Sequence, residues 1–349
     1  MSKKITLILG AGASKPYGFP VGIDLRNLLM KLDPQYLQEL HELNSNFFMT
    51  TPHPLRLPPE DELRKIKRNH EMLERIGSRI GLSRLGAPAH QDNVQADFAK
   101  VFKFSGTASI DAFLSHRSDY AEIGKKAIAS AILDFENKST LEEWDWYGLL
   151  WSKIRSYIEI QDAQVTLQPI SIDIITFNYD RSLEYFLWNA LQSTYRCPED
   201  QAFELISGIN IIHFYGSLGP IYGENAIPYG GANVDDAAKN IKVIPYERTG
   251  QLAQELNSDQ TKALELIHRP ENVIVYMGFG FDDQNSNLLK LDALPKTCLI
   301  HGTTFGLTPF EKRHVGRKYF NIESPGMIDQ FIGENYGCME LIRNKPIFS

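Results

Sequence analysis

Ile5-Thr6-Leu7-Ile8-Leu9-Gly10-Ala11-Gly12-Ala13-Ser14 is an apolar run of strand length that breaks directly into a glycine turn. The run predicts a buried strand and the turn predicts the opening of a helix, the arrangement with which α/β proteins hold the phosphates of a nucleotide. A strand-to-helix turn that holds no ligand is the other meaning of the same residues. In the dinucleotide pattern G-x-G-x-x-G the third glycine falls at position 15, which is Lys15 here, and no acidic residue ends an obvious second strand about 20 residues on. Both departures disfavour a hydride-transferring dehydrogenase. The continuation Lys15-Pro16-Tyr17-Gly18-Phe19-Pro20 predicts an ordered loop that can fold over a ligand.

Outward from this stretch the same layout recurs. Ile170–Phe177 is a near-continuous apolar run, as expected of a parallel strand buried on both faces. Ile209–Phe214, Val273–Met277 and the pair Thr297–His301 and Lys318–Ile322 read as further strands, the last two framing a helical segment Thr308–Arg317. Helical spacing marks Leu25–Leu43 with a break at Pro34, Glu60–Ile80, Ser109–Leu133 and Leu141–Ile160. The linker Thr51-Pro52-His53-Pro54 and the polar loop at 84–93 flank the charged helix Glu60–Ile80. These elements predict an α/β fold, Rossmann-like and doubly wound, with a mainly parallel sheet. We read residues 1–349 as a single domain with a helical insertion at 44–95.

Composition narrows the function classes. Thirty-six basic and 43 acidic residues leave a net charge of −7, with no Lys/Arg run dense enough for a nucleic-acid footprint. Cys197, Cys298 and Cys338 are too few and too scattered for a disulfide framework or a C-x-x-C zinc half-site. The N-terminal apolar run is only a strand long and lacks the layout of a signal peptide, and nothing reaches the length of a membrane span. A reducing cytoplasm is the expected location. The aromatic segment containing Trp144, Trp146, Tyr147, Trp151 and Tyr157 is expected to be core or an oligomer contact.

Polar motifs gather where the strands end: Gly10-Ala11-Gly12-Ala13-Ser14, Thr176-Phe177-Asn178-Tyr179-Asp180, His213-Phe214-Tyr215-Gly216-Ser217, and Gly278-Phe279-Gly280-Phe281-Asp282-Asp283-Gln284-Asn285. Together with Ser109-Ile110-Asp111-Ala112-Phe113-Leu114, this ordered set resembles the sirtuin-like family, and most closely its bacterial NAD-hydrolysing branch that acts in defence against phage. The resemblance covers most of the chain outside 44–95.

It implies that Asn178 and His213 line the pocket around the nicotinamide ribose. Their residue types suit that chemistry. Cleavage of the glycosidic bond passes through an oxocarbenium-like state, in which an amide can hold a hydroxyl or water and an imidazole can take a proton near neutral pH. Asn178 alone could equally be a helix N-cap, and His213 alone a satisfied core histidine. Asp180 either orients Asn178 or caps the next helix; Asp111 either approaches the ribose or caps the helix begun by Ser109. Gly10, Ala11, Gly12, Ser14 and Gly216 are assigned to the dinucleotide, and Gly278, Gly280 and Asp283 or Asn285 to its adenosine half. His301 either meets adenine or is structural.

Deacylating members of the family carry a zinc module with paired cysteines and an aromatic-Arg pair after the glycine loop. This chain has three scattered cysteines and Val21-Gly22-Ile23-Asp24. The expectation is therefore a zinc-free NAD glycohydrolase with no prosthetic group, using water as nucleophile and NAD as substrate. By resemblance it would be a toxic effector of abortive infection, a homo-oligomer held in check by a separate sensor such as a hexameric ATPase or an Argonaute-like protein. Nucleic acid would be met only through that partner, and no membrane would be involved. A non-catalytic NAD or ADP-ribose sensor, and a zinc-independent deacylase or ADP-ribosyltransferase, are the alternatives.

Overall fold

The computed structural model describes residues 4–33, 60–81, 94–142, 145–162, 164–244, 255–320, 322, 336–345 and 347–348. The chain divides into two compact units, one formed by 1–21, 136–229 and 255–349 and the other by 22–135 and 230–254.

The first unit is built on a five-stranded, wholly parallel sheet. Its strands are β1 (Ile5–Leu9), β4 (Ile172–Thr176), β5 (Asn210–His213), β6 (Val273–Met277) and β7 (Leu299–Gly302), in the spatial order β5-β4-β1-β6-β7. A separate antiparallel hairpin joins β2 (Ile158–Gln161) to β3 (Gln164–Leu167). β1 lies at the centre, with Leu7 in register with Ile174 on one side and Val275 on the other. All five residues of β1 and all five of β6 are buried. That explains why they are mostly apolar, with buried Thr6 accepting from Asn272 Nδ2 at 2.9 Å: a strand hydrogen-bonded on both edges and covered on both faces leaves no solvent side. Each such Leu, Ile or Val contributes about 1.5–3 kcal/mol relative to an exposed one.

Because every strand runs the same way, the residues after Leu9, Thr176, His213 and Met277 emerge along one edge of the sheet. Counting only the parallel strands, the order is 3-2-1-4-5, which places the reversal of winding between β1 and β6. This is the Rossmann-like doubly wound arrangement expected from the sequence.

The second unit is helical. It comprises Gly22–Leu29, Glu60–Arg79, Val94–Phe104, Ile110–His116, Ala121–Phe135 and Val234–Asn240. Phe98, Phe102, Phe113 and Tyr120 form its aromatic core, with ring centroids 5.0–6.2 Å apart. Arg75 makes a two-pronged pair with Asp134 at 3.0 and 2.9 Å. Of the stretch 44–95, the described helix Glu60–Arg79 is one member of this helical body. The break at Pro34, the linker at Thr51-Pro52-His53-Pro54, the loop at 84–93 and Trp144 lie outside the described residues.

Three expectations need correction. The helix read over Leu141–Ile160 covers only Trp146–Ile154, because Ile158-Glu159-Ile160-Gln161 alternates with period two and pairs as β2. The strand read at Lys318–Ile322 is instead the end of the helix Pro309–Phe320, where Val315 and Tyr319 are both buried at helical spacing. Ser109–Leu133 is two helices separated by a short 3-10 turn at Ser118–Tyr120. Of the two roles expected for the aromatic segment, Trp146, Tyr147 and Trp151 take the core one, since all three are buried within the sheet unit.

Candidate active site

The glycine turn after β1 and the turn after β6 are fitted into each other. A Cβ on Gly10 would lie 2.5 Å from the Gly278 carbonyl oxygen, one on Gly12 would lie 2.9 Å from Gly278 Cα, and one on Gly278 would lie 2.1 Å from the Ala13 nitrogen. Gly278 also has φ +58°. These three glycines are required because two main chains touch where a side chain would stand. The local amides serve the same junction: Gly10 N–H donates to Met277 O at 3.0 Å, Gly12 N–H to Gly278 O at 3.1 Å, and Ala13 N–H to Gly10 O at 2.9 Å. The turn assigned to phosphates is thus a main-chain lock between β1 and β6, with these three amides engaged by the protein itself.

Ser14, at the end of that turn, is buried and reaches across to the next strand. Asn178 Nδ2 donates to Ser14 Oγ at 2.9 Å, and the Asn178 amide donates to Thr176 Oγ1 at 3.1 Å. The hydroxyls of Ser14 and Ser182 both hydrogen-bond to Asp180, and the Ser182 amide donates to the same carboxylate at 3.1 Å. Asp180 therefore does both things considered for it. It satisfies an amide at the start of the helix Ser182–Tyr195, and through Ser14 it fixes the Asn178 side chain. Burial pushes the Asp180 carboxyl above its usual range, against the opposing effect of those serine bonds.

The buried aromatics support this chain from below. The Tyr147 hydroxyl lies 2.7 Å from Ser182 Oγ, and its ring stacks on Tyr17 with centroids 3.8 Å apart. Tyr17 OH accepts from the Tyr147 amide at 2.9 Å, and Trp146 Nε1 donates to the Ala13 carbonyl at 2.8 Å. Asn178 Oδ1, by contrast, is buried with no hydrogen-bond partner among the described residues. A buried amide oxygen left unpaired costs about 1–3 kcal/mol, so this acceptor is matched to a donor that the protein does not supply.

His213, at the end of β5, is held at both ring nitrogens. Nδ1–H donates to the Asn178 carbonyl oxygen at 2.9 Å, and Nε2 lies 2.5 Å from Glu184 Oε1. Burial works against charge on His213, but the charge and hydrogen bond of Glu184, with the Asn178 carbonyl, outweigh it and raise the imidazole above its ordinary range. For Glu184 burial acts upward, yet the His213 charge and hydrogen bond prevail and hold the carboxyl below its range. Both shifts favour the charged form of each partner.

Arg181 fixes the segment that follows β5. It forms a two-pronged bond with Glu136 at 2.9 and 2.7 Å, and Nη1 donates to the carbonyls of Gly219, Pro220 and Ile227 at 3.1, 3.3 and 2.6 Å. Both partners are almost fully buried. Gly216, in the turn between, takes φ +73° and returns its N–H to His213 O at 3.1 Å.

Sequence reasoning brought Asn178, His213, Asp180 and Ser14 to one place, but missed Glu184 and Arg181. Both lie just past Asn178 at the start of the helix that follows β4, so a search for charged residues within two turns of the strand end would have found them.

The residues assigned to the adenosine half have partners of their own. Asn285 Oδ1 accepts from the Tyr215 hydroxyl at 2.7 Å while its amide nitrogen donates to Asp282 at 2.7 Å. Asp283 binds Lys318 and the Tyr319 hydroxyl, each at 2.7 Å, and is held below its usual range by them. A Cβ on Gly280 would meet nothing within 4 Å. Phe281 beside it takes φ +52°, a left-handed conformation rare for so bulky a residue. Ala11 sits in the first turn after Gly10. Asp111 belongs to the helical unit, where Ser109 caps its helix by accepting the Ala112 amide at 3.1 Å.

No family model and no curated protein matches the chain. Cys197, Cys298 and Cys338 are free and buried, and no cluster of three or more metal-ligating side chains occurs among the described residues. No helix among them is long and apolar enough to cross a membrane. What the strand ends assemble is a rigid amide with a spare acceptor, an imidazole held at both nitrogens and a partly exposed carboxylate. That set can orient a hydroxyl or a water and receive its proton.

Proposed function

We propose that the sheet unit hydrolyses the nicotinamide–ribose bond of NAD, releasing nicotinamide and ADP-ribose. The observation that carries this reading is the buried, unpartnered Asn178 Oδ1 beside the His213–Glu184 pair at the carboxyl edge of the sheet. Ligands of doubly wound sheets bind outside that edge. An acceptor fixed by Ser14 suits a ribose hydroxyl or the attacking water, and neither role requires Asn178 to change charge. Cationic nicotinamide leaves as a neutral molecule, so the reaction needs a proton acceptor more than an acid. Membership of an antiphage system, a separate sensor partner, a homo-oligomeric state and a cytoplasmic location remain parts of the proposal that rest on the motif resemblance.

The test is to incubate the chain with NAD, alone and with the product of the neighbouring gene, and to measure free nicotinamide. Wild type is expected to release it in the activated assembly. Asn178→Ala should lower release by at least about 100-fold with the thermal transition retained. Turnover by the Asn178 variant at the wild-type rate would remove the assignment.

A second reading, recognition of NAD or ADP-ribose without turnover, is favoured by one observation: both nitrogens of His213 are already engaged. Saturable NAD binding in the activated assembly with no nicotinamide released would select it.

A further inference from the structure

His213 has no lone pair to offer. Its Nδ1 must carry a proton because the Asn178 carbonyl can only accept, and its Nε2 is occupied by Glu184. Glu184 differs in this respect. A carboxylate has about four acceptor positions on two oxygens; Oε1 uses one toward His213, and the residue's own backbone N–H occupies another. Accepting capacity is left over. The Glu184 side chain is 21% exposed against 12% for His213, so it is also the more accessible of the two.

We propose that Glu184, rather than His213, takes the proton of the attacking water, and that His213 is the positioning residue that holds this carboxylate ionised and in place; the inference rests on the hydrolase reading above. The balance is simple. The electrons of the C1′–N1 bond pass to the pyridinium ring, which departs as neutral nicotinamide, while a water oxygen bonds to C1′. One proton of that water goes to the Glu184 carboxylate and then to solvent, giving nicotinamide, ADP-ribose and one proton. Asn178 stays neutral and holds a hydroxyl or the water through Oδ1. His213 keeps both of its protons throughout, so the pair enters and leaves the cycle as an ion pair.

The surroundings favour this division of labour. The groups that face the pair are Asp180, which favours the charged imidazole, and Arg181, which favours the ionised carboxylate and is itself bound to Glu136. Tyr147, next along the Asp180 network, is kept protonated by burial. A neutral imidazole acting as base would have to give up its bond to Glu184 first.

Two measurements on the full chain test the inference. In the first, histidine-selective ¹⁵N NMR, assigned with His213→Gln, reads the protonation of the ring. Both nitrogens of His213 are expected to carry protons at pH 7.5, and in Glu184→Gln the titration should fall by about one to three units. A neutral ring with a free Nε2 lone pair at pH 7.5 overturns the proposal whether or not turnover is seen. In the second, nicotinamide release is followed in the active assembly. Glu184→Gln should lower kcat by about 10²–10⁴-fold with little change in KM, formate should restore part of the rate to Glu184→Ala, and His213→Gln should retain more activity than Glu184→Gln. Wild-type turnover with Glu184→Gln within about threefold of it, or His213→Gln as the more damaging change, overturns this inference alone. A wild type that releases no nicotinamide overturns the hydrolase reading and this inference with it.

Discussion

At the scale of single residues, Asn178 is useful because other side chains leave it no freedom. Ser14 takes its amide nitrogen, Thr176 takes its main-chain N–H, and its carbonyl oxygen receives His213. What remains is one oxygen in a fixed place. The neighbouring ion pair makes a prediction about stability as well as rate. The folded-state value of Glu184 is depressed, so its contribution is present above the unfolded value near about 4.3 and is lost as pH falls through the folded one. His213 is raised, so its contribution is present below about 6.5 and is lost as pH rises through the folded value. The difference in Tm between wild type and Glu184→Gln should therefore be largest at about pH 4.5–6.5 and close on both sides. A Tm difference that is flat from pH 3 to pH 10 would contradict the pairing. Asn178 and His213 were legible in the sequence because each stands at the end of an apolar run. Glu184 stands within two turns of the same strand end, but its pairing with His213 depends on β5 returning beside the helix that follows β4, a contact that no local pattern shows.

At the scale of elements, the two glycine turns show how a correct motif can carry a different meaning. Gly10 and Gly12, which the sequence assigns to a dinucleotide, also make room for Gly278. Gly278→Ala, at φ +58° and with its Cβ driven onto the Ala13 nitrogen, should cost about 3 kcal/mol or more. Gly280→Ala, where a Cβ meets nothing, should cost under about 1 kcal/mol. Denaturant unfolding of both variants checks the contrast, and equal losses would refute the lock. The central strands of the sheet were legible because burial on both faces writes itself as predominantly apolar sequence. The β2–β3 hairpin was not: its two strands are four residues each and mostly exposed, and their short alternation was absorbed into the helical spacing of Trp146–Ile154. The aromatic stripe on that helix was recognised, but its purpose lies in the partners of Trp146 and Tyr147, which only the folded chain reveals.

At the scale of the whole molecule, the sheet unit is assembled from three stretches of chain and the helical unit from two. The composition of 44–95 disclosed part of the helical unit, but not its return at 230–254, because that stretch carries no change of composition to mark it. The interleaving has a consequence for synthesis. β1 leaves the ribosome first and occupies the middle of the sheet, yet its neighbours β4 and β6 begin only at Ile172 and Val273. Until then a strand with four apolar residues in five has two open edges, the condition that favours pairing with other chains. A chain ending at Gln254 lacks β6 and β7 and should aggregate instead of giving a smaller folded sheet; static light scattering and the absence of a cooperative transition would register this. For the same reason the lock between Gly12 and Gly278 can close only after Gly278 has been made. A chain released early, or nicked before Val273, would carry Asn178, Glu184 and His213 without the strand that braces the turn bearing Ser14, so translation itself delays the moment at which the site becomes competent.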